Sequence, residues 1–346
     1  MPAHTARAEP AHAATSSPAG NAVAIRLGGW RSTLVSLNEI GARSVEDLVG
    51  KLAPFGFVVA PREDEEEYVV VSGSPLPPDE SAWLAHAPRG GGEAWSRFQR
   101  ALAEAYAQFA GTPEGLRGHR GSGAFTFSWP PGPFSNSAGE GGAAQALLRA
   151  TALVAPEHHD QTSLRLLALL LYLATARHTE HGGLILHSSA VARDGDGFLF
   201  LGESDAGKTS VATWSREANR PALGDDVNFL IARDEGFLVA AAPSPKLSPA
   251  GYSQETPSVR AVFLLHKADE DALVPLSPMR TASALFAAFL QAPPGGSLSP
   301  DAIGHAFGVA CRVSRLVPGY ELHFKRGPSF WRLIDRELPP RECLGA

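Results

Sequence analysis

The segment FLFLGESDAGKTS, residues 198–210, constrains the fold of this chain more than any other feature. From Gly202 to Thr209 it fits G-x-x-x-x-G-K-[ST], the pattern of a phosphate loop. Such a loop lies between a buried strand and a helix, because backbone N–H groups and the helix N-terminus surround the anion together. FLFLG is apolar enough to be that strand, and TSVATWSREA is typical of the helix. An α/β fold with a nucleotide site is therefore predicted.

The pattern gives most residues of the loop a role. We expect the Lys208 ammonium to neutralise the β and γ phosphates and the Thr209 hydroxyl to bind magnesium. Asp205 is unusual, since it puts a carboxylate on the rim of an anion site; its N–H can still serve while the side chain turns outward or pairs with magnesium or a basic residue. The predicted nucleotide-binding residues are Gly202, Glu203, Ser204, Asp205, Ala206, Gly207, Lys208, Thr209 and Ser210.

Two adjacent carboxylates, Asp225 and Asp226, follow the loop helix in RPALGDDVNFLIA. At a strand end such a pair can divide two tasks: one carboxylate holds magnesium and the other accepts the proton of an attacking hydroxyl. Because neighbouring strand residues point to opposite faces, both reach the phosphate only if the strand breaks at Gly224. A pair that merely caps a turn is the alternative.

Three further side chains are weaker candidates. His187, in the strand before the loop, either reaches the nucleotide or is an ordinary core histidine. Lys246, in the proline-braced turn PSPKLSP, is either a second cation near the phosphates or a solvent-facing lysine. The stretch HKAD at His266 is similar to the N-K-x-D sequence that binds guanine in GTPases, but histidine replaces asparagine and no D-x-x-G precedes it. We expect a strand end followed by a charged turn there.

Composition excludes several classes of protein. The chain has 346 residues and a net charge of −6, so it lacks the basic excess that nucleic acid or an anionic membrane surface requires. Cys311 and Cys343 lie far from any metal-binding spacing, which indicates a reduced, cytoplasmic protein. The most apolar stretch, residues 163–177, is too short to span a bilayer and contains Arg165, so it predicts a buried helix.

The pattern of glycine, proline and apolar residues divides the chain into four segments. These are a disordered tail at 1–20, an α+β region at 21–110, a Gly/Pro-rich linker at 111–142 and a nucleotide-binding domain at 143–346.

Several elements are predicted within these segments. The expected order is a strand–turn–strand unit in NAVAIRLGGWRSTLVS, a helix in VEDLVGKLAPFG, two β-rich runs around the acidic turn Glu63–Glu67, a helix at 92–110, helical sequence from 143 to 177, and a β-hairpin, LILHSSAVARDGDGFLFLG, that leads into the loop.

Taken in order, LHSSAVARDGDGFLFLGESDAGKTS, LGDDVNFL, PSPKLSP and a late FWRLID resemble the HPr kinase-like family, and more closely the HPr-kinase-related proteins often associated with modified-peptide clusters. The resemblance is strong over 183–247, fair to 335 and diffuse over 22–180. It implies a mixed-sheet P-loop kinase core related to ATP-dependent phosphoenolpyruvate carboxykinase, with a smaller α+β region before it, and ATP and Mg²⁺ as cofactors.

Carried over to this chain, the resemblance makes Asp225 the catalytic base, Asp226 a magnesium partner beside Thr209, and His187 a phosphate-side residue; the two aspartates can exchange roles. Asp205 departs from the family, which has glycine or another small residue there. The segment that HPr kinases carry after the catalytic aspartates is also missing, so HPr itself is not the expected substrate.

The expected activity is transfer of the γ-phosphate of ATP to a serine or threonine of a peptide or small protein in the cytoplasm, without nucleic-acid or membrane partners. Three alternatives stay open. The acceptor can instead be a small metabolite such as a free amino acid, Asp205 can have turned the chain into a non-catalytic nucleotide-binding partner, or the chain can be a GTPase-like switch.

Overall fold

A computed structural model describes residues 22–28, 30–36, 39–60, 67–75, 125–128, 146–154, 159–243, 253–292 and 300–340. Within these ranges the chain forms two β-sheets with helices packed against them, which makes the fold mixed α/β.

The first sheet has six strands in the order β3-β1-β2-β4-β6-β5. Strands β1 and β2 form the predicted strand–turn–strand unit, and the predicted helix follows as α1, whose Leu48 and Leu52 are buried. The elements are β1 (Ala22–Leu27), β2 (Trp30–Ser36), α1 (Glu39–Leu52), a 3₁₀ turn (Ala53–Phe55), β3 (Val58–Val59), β4 (Glu67–Pro75), β5 (Phe125–Ser128) and β6 (Ala146–Val154).

Strand β6 contradicts the expectation of helical sequence from residue 143. Its nine residues pair in parallel with all nine of β4, and this ladder outweighs the helix preference of its alanines and leucines. It lies beyond the predicted boundary at 142/143, yet it belongs to the first sheet. The division into four segments stays a prediction. The predicted helix at 92–110 and most of the acidic turn lie outside the described residues.

The second sheet has eight strands, with the path β11-β10-β7-β8-β12-β14-β13 and with β9 paired to β7. Strands β8, β12 and β14 run parallel at its centre, and the β7–β8 hairpin confirms the prediction. The strands are β7 (Leu184–Arg193), β8 (Asp196–Leu201), β9 (Ala222–Gly224), β10 (Val227–Arg233), β11 (Gly236–Ala241), β12 (Ser258–Lys267), β13 (Ala272–Pro275) and β14 (Gly319–Phe324).

Five more helices of the described ranges pack against the sheets. The side chains of β8 alternate between the two faces of the second sheet, and each face has its own apolar cluster. Phe198 and Phe200 join an aromatic cluster with Phe330 and Trp331, whereas Leu199 and Leu201 join a larger aliphatic cluster on the other side. The helices are α2 (His159–Glu180), α3 (Lys208–Glu217), α4 (Pro278–Gln291), α5 (Pro300–Leu316) and α6 (Phe330–Glu337).

Helix α2 joins the two sheets. Its His178 Nε2 lies 3.0 Å from the Leu27 carbonyl oxygen of β1, and its ring lies 4.7 Å from the ring of Phe229 in β10. Burial lowers the pKa of His178, because an apolar environment disfavours the charged imidazolium. The neutral ring therefore donates its Nε2 proton to the carbonyl.

The apolar stretch 163–177 lies within α2, where Leu166, Leu170 and Leu173 are buried, as expected of a core helix. Within the described ranges, no helix has the length and apolar character that crossing a bilayer would need.

Candidate functional site

The candidate site begins where β8 ends at Leu201 and α3 begins at Lys208. Gly207 has φ of +107°, and a Cβ atom on it would lie 2.7 Å from Cζ of Phe324, so only glycine fits there. The Gly207 carbonyl accepts the first helical hydrogen bond, from Val211 N at 2.9 Å. A strand, a glycine turn and a helix N-terminus thus follow one another as the sequence predicts.

Lys208 folds back over this loop. Its side chain is buried, and its Nζ donates to the carbonyl oxygens of Gly202 at 2.7 Å and Glu203 at 2.9 Å. A phosphate oxygen is a stronger, charged acceptor than either carbonyl. The ammonium is therefore held at the loop itself, where an anion bound by the loop would meet it.

Asp205 occupies the left-handed region of backbone space, with φ of +64°, and its side chain is exposed. That conformation favours glycine, although aspartate tolerates it better than most residues. The neighbouring Glu203, Ser204 and Thr209 are also exposed, so the rim of the loop is open to solvent and carries two carboxylates.

The strand breaks at Gly224, which is the condition under which both aspartates could face one site. Strand β9 ends at Gly224 and β10 begins at Val227, which leaves Asp225 and Asp226 between two short strands. Gly224 pairs with Ala190 and Val227 pairs with His187, so β7 separates the two acids from β8. Two strand spacings place the aspartate backbone about 10 Å from the end of β8. Both aspartate side chains are buried.

His187 lies next to this acid pair. Its Nδ1 is 3.8 Å from Oδ1 of Asp226, a distance that allows charge attraction when the imidazole is protonated but exceeds a hydrogen bond. The structure thus brings His187 to the acid pair.

Asn228 was not predicted as a site residue. Its side chain holds the chain in place at the break between β9 and β10. Its Nδ2 donates to the Ser188 carbonyl at 2.7 Å and lies 3.0 Å from Ser188 Oγ. A Cβ atom on Gly224 would lie 2.6 Å from Asn228 Oδ1, so glycine is needed at that contact. The position of Asn228, two residues after the acid pair in DDVN, could have indicated this role.

Lys267 was predicted only as part of a strand end and turn, which β12 confirms. Because β12 runs parallel to β8, both carboxyl ends reach the same edge of the sheet. Lys267 Cε lies 3.8 Å from the position that a Gly207 Cβ would take. The side chain is exposed, and among the described residues it forms no ion pair. The loop therefore has a second lysine beside it.

Two histidines, His266 and His323, lie opposite each other near the carboxyl ends of β12 and β14. The rings of His266 and His323 lie 5.0 Å apart, and His323 Nε2 is 3.3 Å from a carboxylate oxygen of Glu321. Desolvation would raise the pKa of Glu321, but hydrogen bonds from His323 and Arg280 lower it overall. In the described part of the chain, no group of three or more histidine, cysteine or acidic residues is arranged to hold a metal ion.

The carboxyl-terminal helix anchors α3. Trp331 Nε1 donates to Ser215 Oγ at 2.9 Å, and Ser215 in turn donates to the Val211 carbonyl. Asp335 accepts from Arg193 at 2.8 Å and from Arg220 at 2.6 Å. The segment FWRLID, which forms most of α6, therefore packs against α3 and holds it in place. Lys246 lies outside the described residues.

Comparisons with known proteins agree with part of these expectations. One solved structure that matches, the HPr(Ser) kinase/phosphatase from Coxiella burnetii, is 12% identical over 44% of this chain and 94% of its own; its TM-score of 0.26 is too low to establish a common fold. No curated protein matches. The family model described as SynChlorMet cassette protein ScmC matches residues 153–339, more than half of the chain. The chain belongs to the SynChlorMet cassette protein ScmC family.

Proposed function

We propose that this protein is an ATP-dependent kinase that transfers the γ-phosphoryl group to a serine or threonine hydroxyl of a peptide or small protein. The observation that carries the proposal is the loop from Gly202 to Thr209, built between a buried strand and a helix with Lys208 folded over it. The strand break that presents Asp225 and Asp226 across β7 from β8 supports a transferase rather than simple binding.

The loop residues would bind the triphosphate. Backbone N–H groups at the start of α3 and the Lys208 ammonium stabilise the charge that spreads over the phosphoryl oxygens during transfer. A magnesium ion, when bound, neutralises charge across the β and γ phosphates. The Thr209 hydroxyl and the Asp226 carboxylate are hard oxygen ligands of the kind magnesium prefers, so they would hold it.

The acid pair would handle the proton. In the proposed step the acceptor hydroxyl oxygen bonds to the γ phosphorus, the bond from that phosphorus to the bridging oxygen of ADP breaks, and Asp225 takes the hydroxyl proton. His187, 3.8 Å from Asp226, offers that carboxylate a positive neighbour when protonated. The exchanged assignment, with Asp226 as base, stays open. Comparing the transfer rates of single Asp225 and Asp226 variants distinguishes the two assignments.

A transfer assay with labelled ATP tests the proposal. The purified chain is incubated with Mg²⁺ and serine- or threonine-containing peptides, each matched to an alanine peptide. Lys208→Ala and Asp225→Asn should each lower transfer at least about a hundredfold. Asp301→Asn, an exposed carboxylate on α5, is the matched control and should change nothing. Undiminished transfer by both site variants would refute the assignment.

A non-catalytic nucleotide-binding partner is the second candidate, and the exposed carboxylate of Asp205 at the loop rim favours it. Magnesium-ATP binding by calorimetry without turnover on any peptide would support this alternative. Turnover on free serine or threonine but on no peptide would instead identify a small-metabolite acceptor.

A further inference from the structure

A separate cavity of 310 Å³ lies where the first sheet meets the β10–β11 hairpin. One wall comes from β1 and the 3₁₀ turn after α1; the other comes from β10, β11 and residues 253–256. None of the loop residues, neither Asp225 nor Asp226, and not His187 lines it. We call this cavity the intersheet pocket, and it is distinct from the phosphate-loop site.

The floor of the intersheet pocket is apolar. Leu223, Ile231 and Leu238 line it, and the first two are at most 6% exposed. Ala240, two residues after Leu238 in β11, continues the same surface with a small side chain, which leaves room above the sheet. Such a floor favours an apolar group over a fully hydrated ion.

Two guanidinium groups border this apolar floor. Arg26, from β1, and Arg233, from the end of β10, both line the pocket and are both exposed. Among the described residues, neither side chain forms a hydrogen bond or an ion pair. Glu255 also lines the pocket but pairs with neither arginine. The intersheet pocket therefore has a net positive charge that no described group neutralises directly.

The two walls of the pocket are already in contact. Gly56 in the first wall has φ of +69°, and a Cβ atom on it would overlap Oε1 of Gln254 in the second wall. At Gly28, which lines the pocket, an added Cβ atom would lie 2.8 Å from Nε2 of the buried His178 in α2. Glycine at position 56 therefore permits close packing of the two walls.

We propose that the intersheet pocket binds an apolar monocarboxylate, with the carboxylate at Arg26 and Arg233 and the apolar body on Leu223, Ile231 and Leu238. Arginine is suited to this task, because its planar guanidinium binds a carboxylate through two parallel hydrogen bonds. The volume lies near the lower limit of small-ligand pockets, about 300 Å³, which restricts the body to a compact group. A free carboxylic acid and the carboxyl terminus of an apolar peptide share this chemistry.

Amide chemical shifts of the full-length ¹⁵N-labelled chain test the proposal with N-acetyl-L-leucine and N-acetyl-L-leucinamide as probes. The acid should shift the signals of Gly28, Gly56 and Gln254 saturably, with a Kd of about 1 mM or below, as expected for a ligand of this size. The uncharged amide should give no saturable shift. A tetrapeptide ending in leucine, with a free or an amidated terminus, forms the second arm, and the tighter of the two acids identifies the source of the carboxylate.

The variant Arg26→Gln/Arg233→Gln should weaken binding of the acid about tenfold or more, since each lost charged hydrogen bond is strong. Arg332→Gln, an exposed arginine on α6, should leave the Kd unchanged. If the double variant unfolds, each single variant must instead weaken binding at least about threefold. Equal binding of the acid and the amide, an unchanged Kd in the arginine variants, or no saturable shift with either acid overturns the proposal.

Discussion

Asp205 is the residue at which this loop departs most from what a phosphate site needs. Its φ of +64° is natural for glycine, and its carboxylate repels an anion. Asp205→Gly should tighten magnesium-ATP binding about fivefold, because a nearby negative charge worth about 1 kcal/mol is removed. Stability should change by less than about 1 kcal/mol, since relief of the left-handed conformation is offset by the entropy of a freer unfolded chain.

Asp194→Gly is the matched control for this substitution, because Asp194 also has a positive φ, +50°, but lies in the turn between β7 and β8. Calorimetry should show an unchanged ATP affinity for Asp194→Gly. An Asp205→Gly variant that binds ATP no more tightly than the parent would show that the carboxylate turns away from the nucleotide.

Lys267 is the second residue with a direct prediction. Lys267 Cε lies beside Gly207, and its ammonium forms no ion pair with any described residue. It should therefore stabilise bound phosphate, and Lys267→Gln should lower kcat/KM for ATP about tenfold. Lys51→Gln, on helix α1, should leave the rate constants as they are. Steady-state kinetics over a range of ATP concentrations checks both, and equal values for the two variants would remove Lys267 from the site.

Among the elements, the turn from β8 into α3 has the least tolerance for change. Gly207→Ala puts a methyl group 2.7 Å from the buried Phe324 ring at a φ that alanine avoids. The free energy of unfolding should fall by about 2 kcal/mol or more, and ATP binding should be lost with it. Gly304→Ala on α5, where a Cβ meets nothing within 4 Å, should instead stabilise the chain by about 0.5–1 kcal/mol. Urea denaturation measures both.

The elements that the sequence predicted correctly are those determined by residues that are close together in the chain. Glycines and apolar runs within a few residues of each other determine the phosphate loop and the β7–β8 hairpin. The strand break that the sequence offered as a condition at Gly224 has the same kind of cause. Strand β6 was mispredicted because its partner β4 is distant in sequence. The proximity of Lys267 to Gly207 depends on the pairing of β12 with β8, which no short pattern encodes.

His178 connects the two sheets, and its burial should make the stability of the whole chain depend on pH. Burial lowers its pKa below the ordinary value of 6.5, so the unfolded chain binds the proton more readily than the folded chain. Stability from this group is complete above pH 6.5 and should fall as pH drops through 6.5 toward the lowered pKa, by at most about 1.4 kcal/mol per pH unit. His178→Gln should remove this slope, whereas His305→Gln, exposed on α5, should retain it. Urea unfolding at pH 5 to 8 gives the comparison, and a slope that persists in His178→Gln would assign it to other groups.

Calorimetric titration of magnesium-ATP into the full-length chain and into Lys208→Ala shows whether the phosphate loop binds a nucleotide through Lys208. We expect one saturable site in the parent and a loss of affinity of at least about thirtyfold in the variant, because a charged hydrogen bond to phosphate disappears. Equal affinity in both proteins, or no binding in the parent, would contradict this expectation.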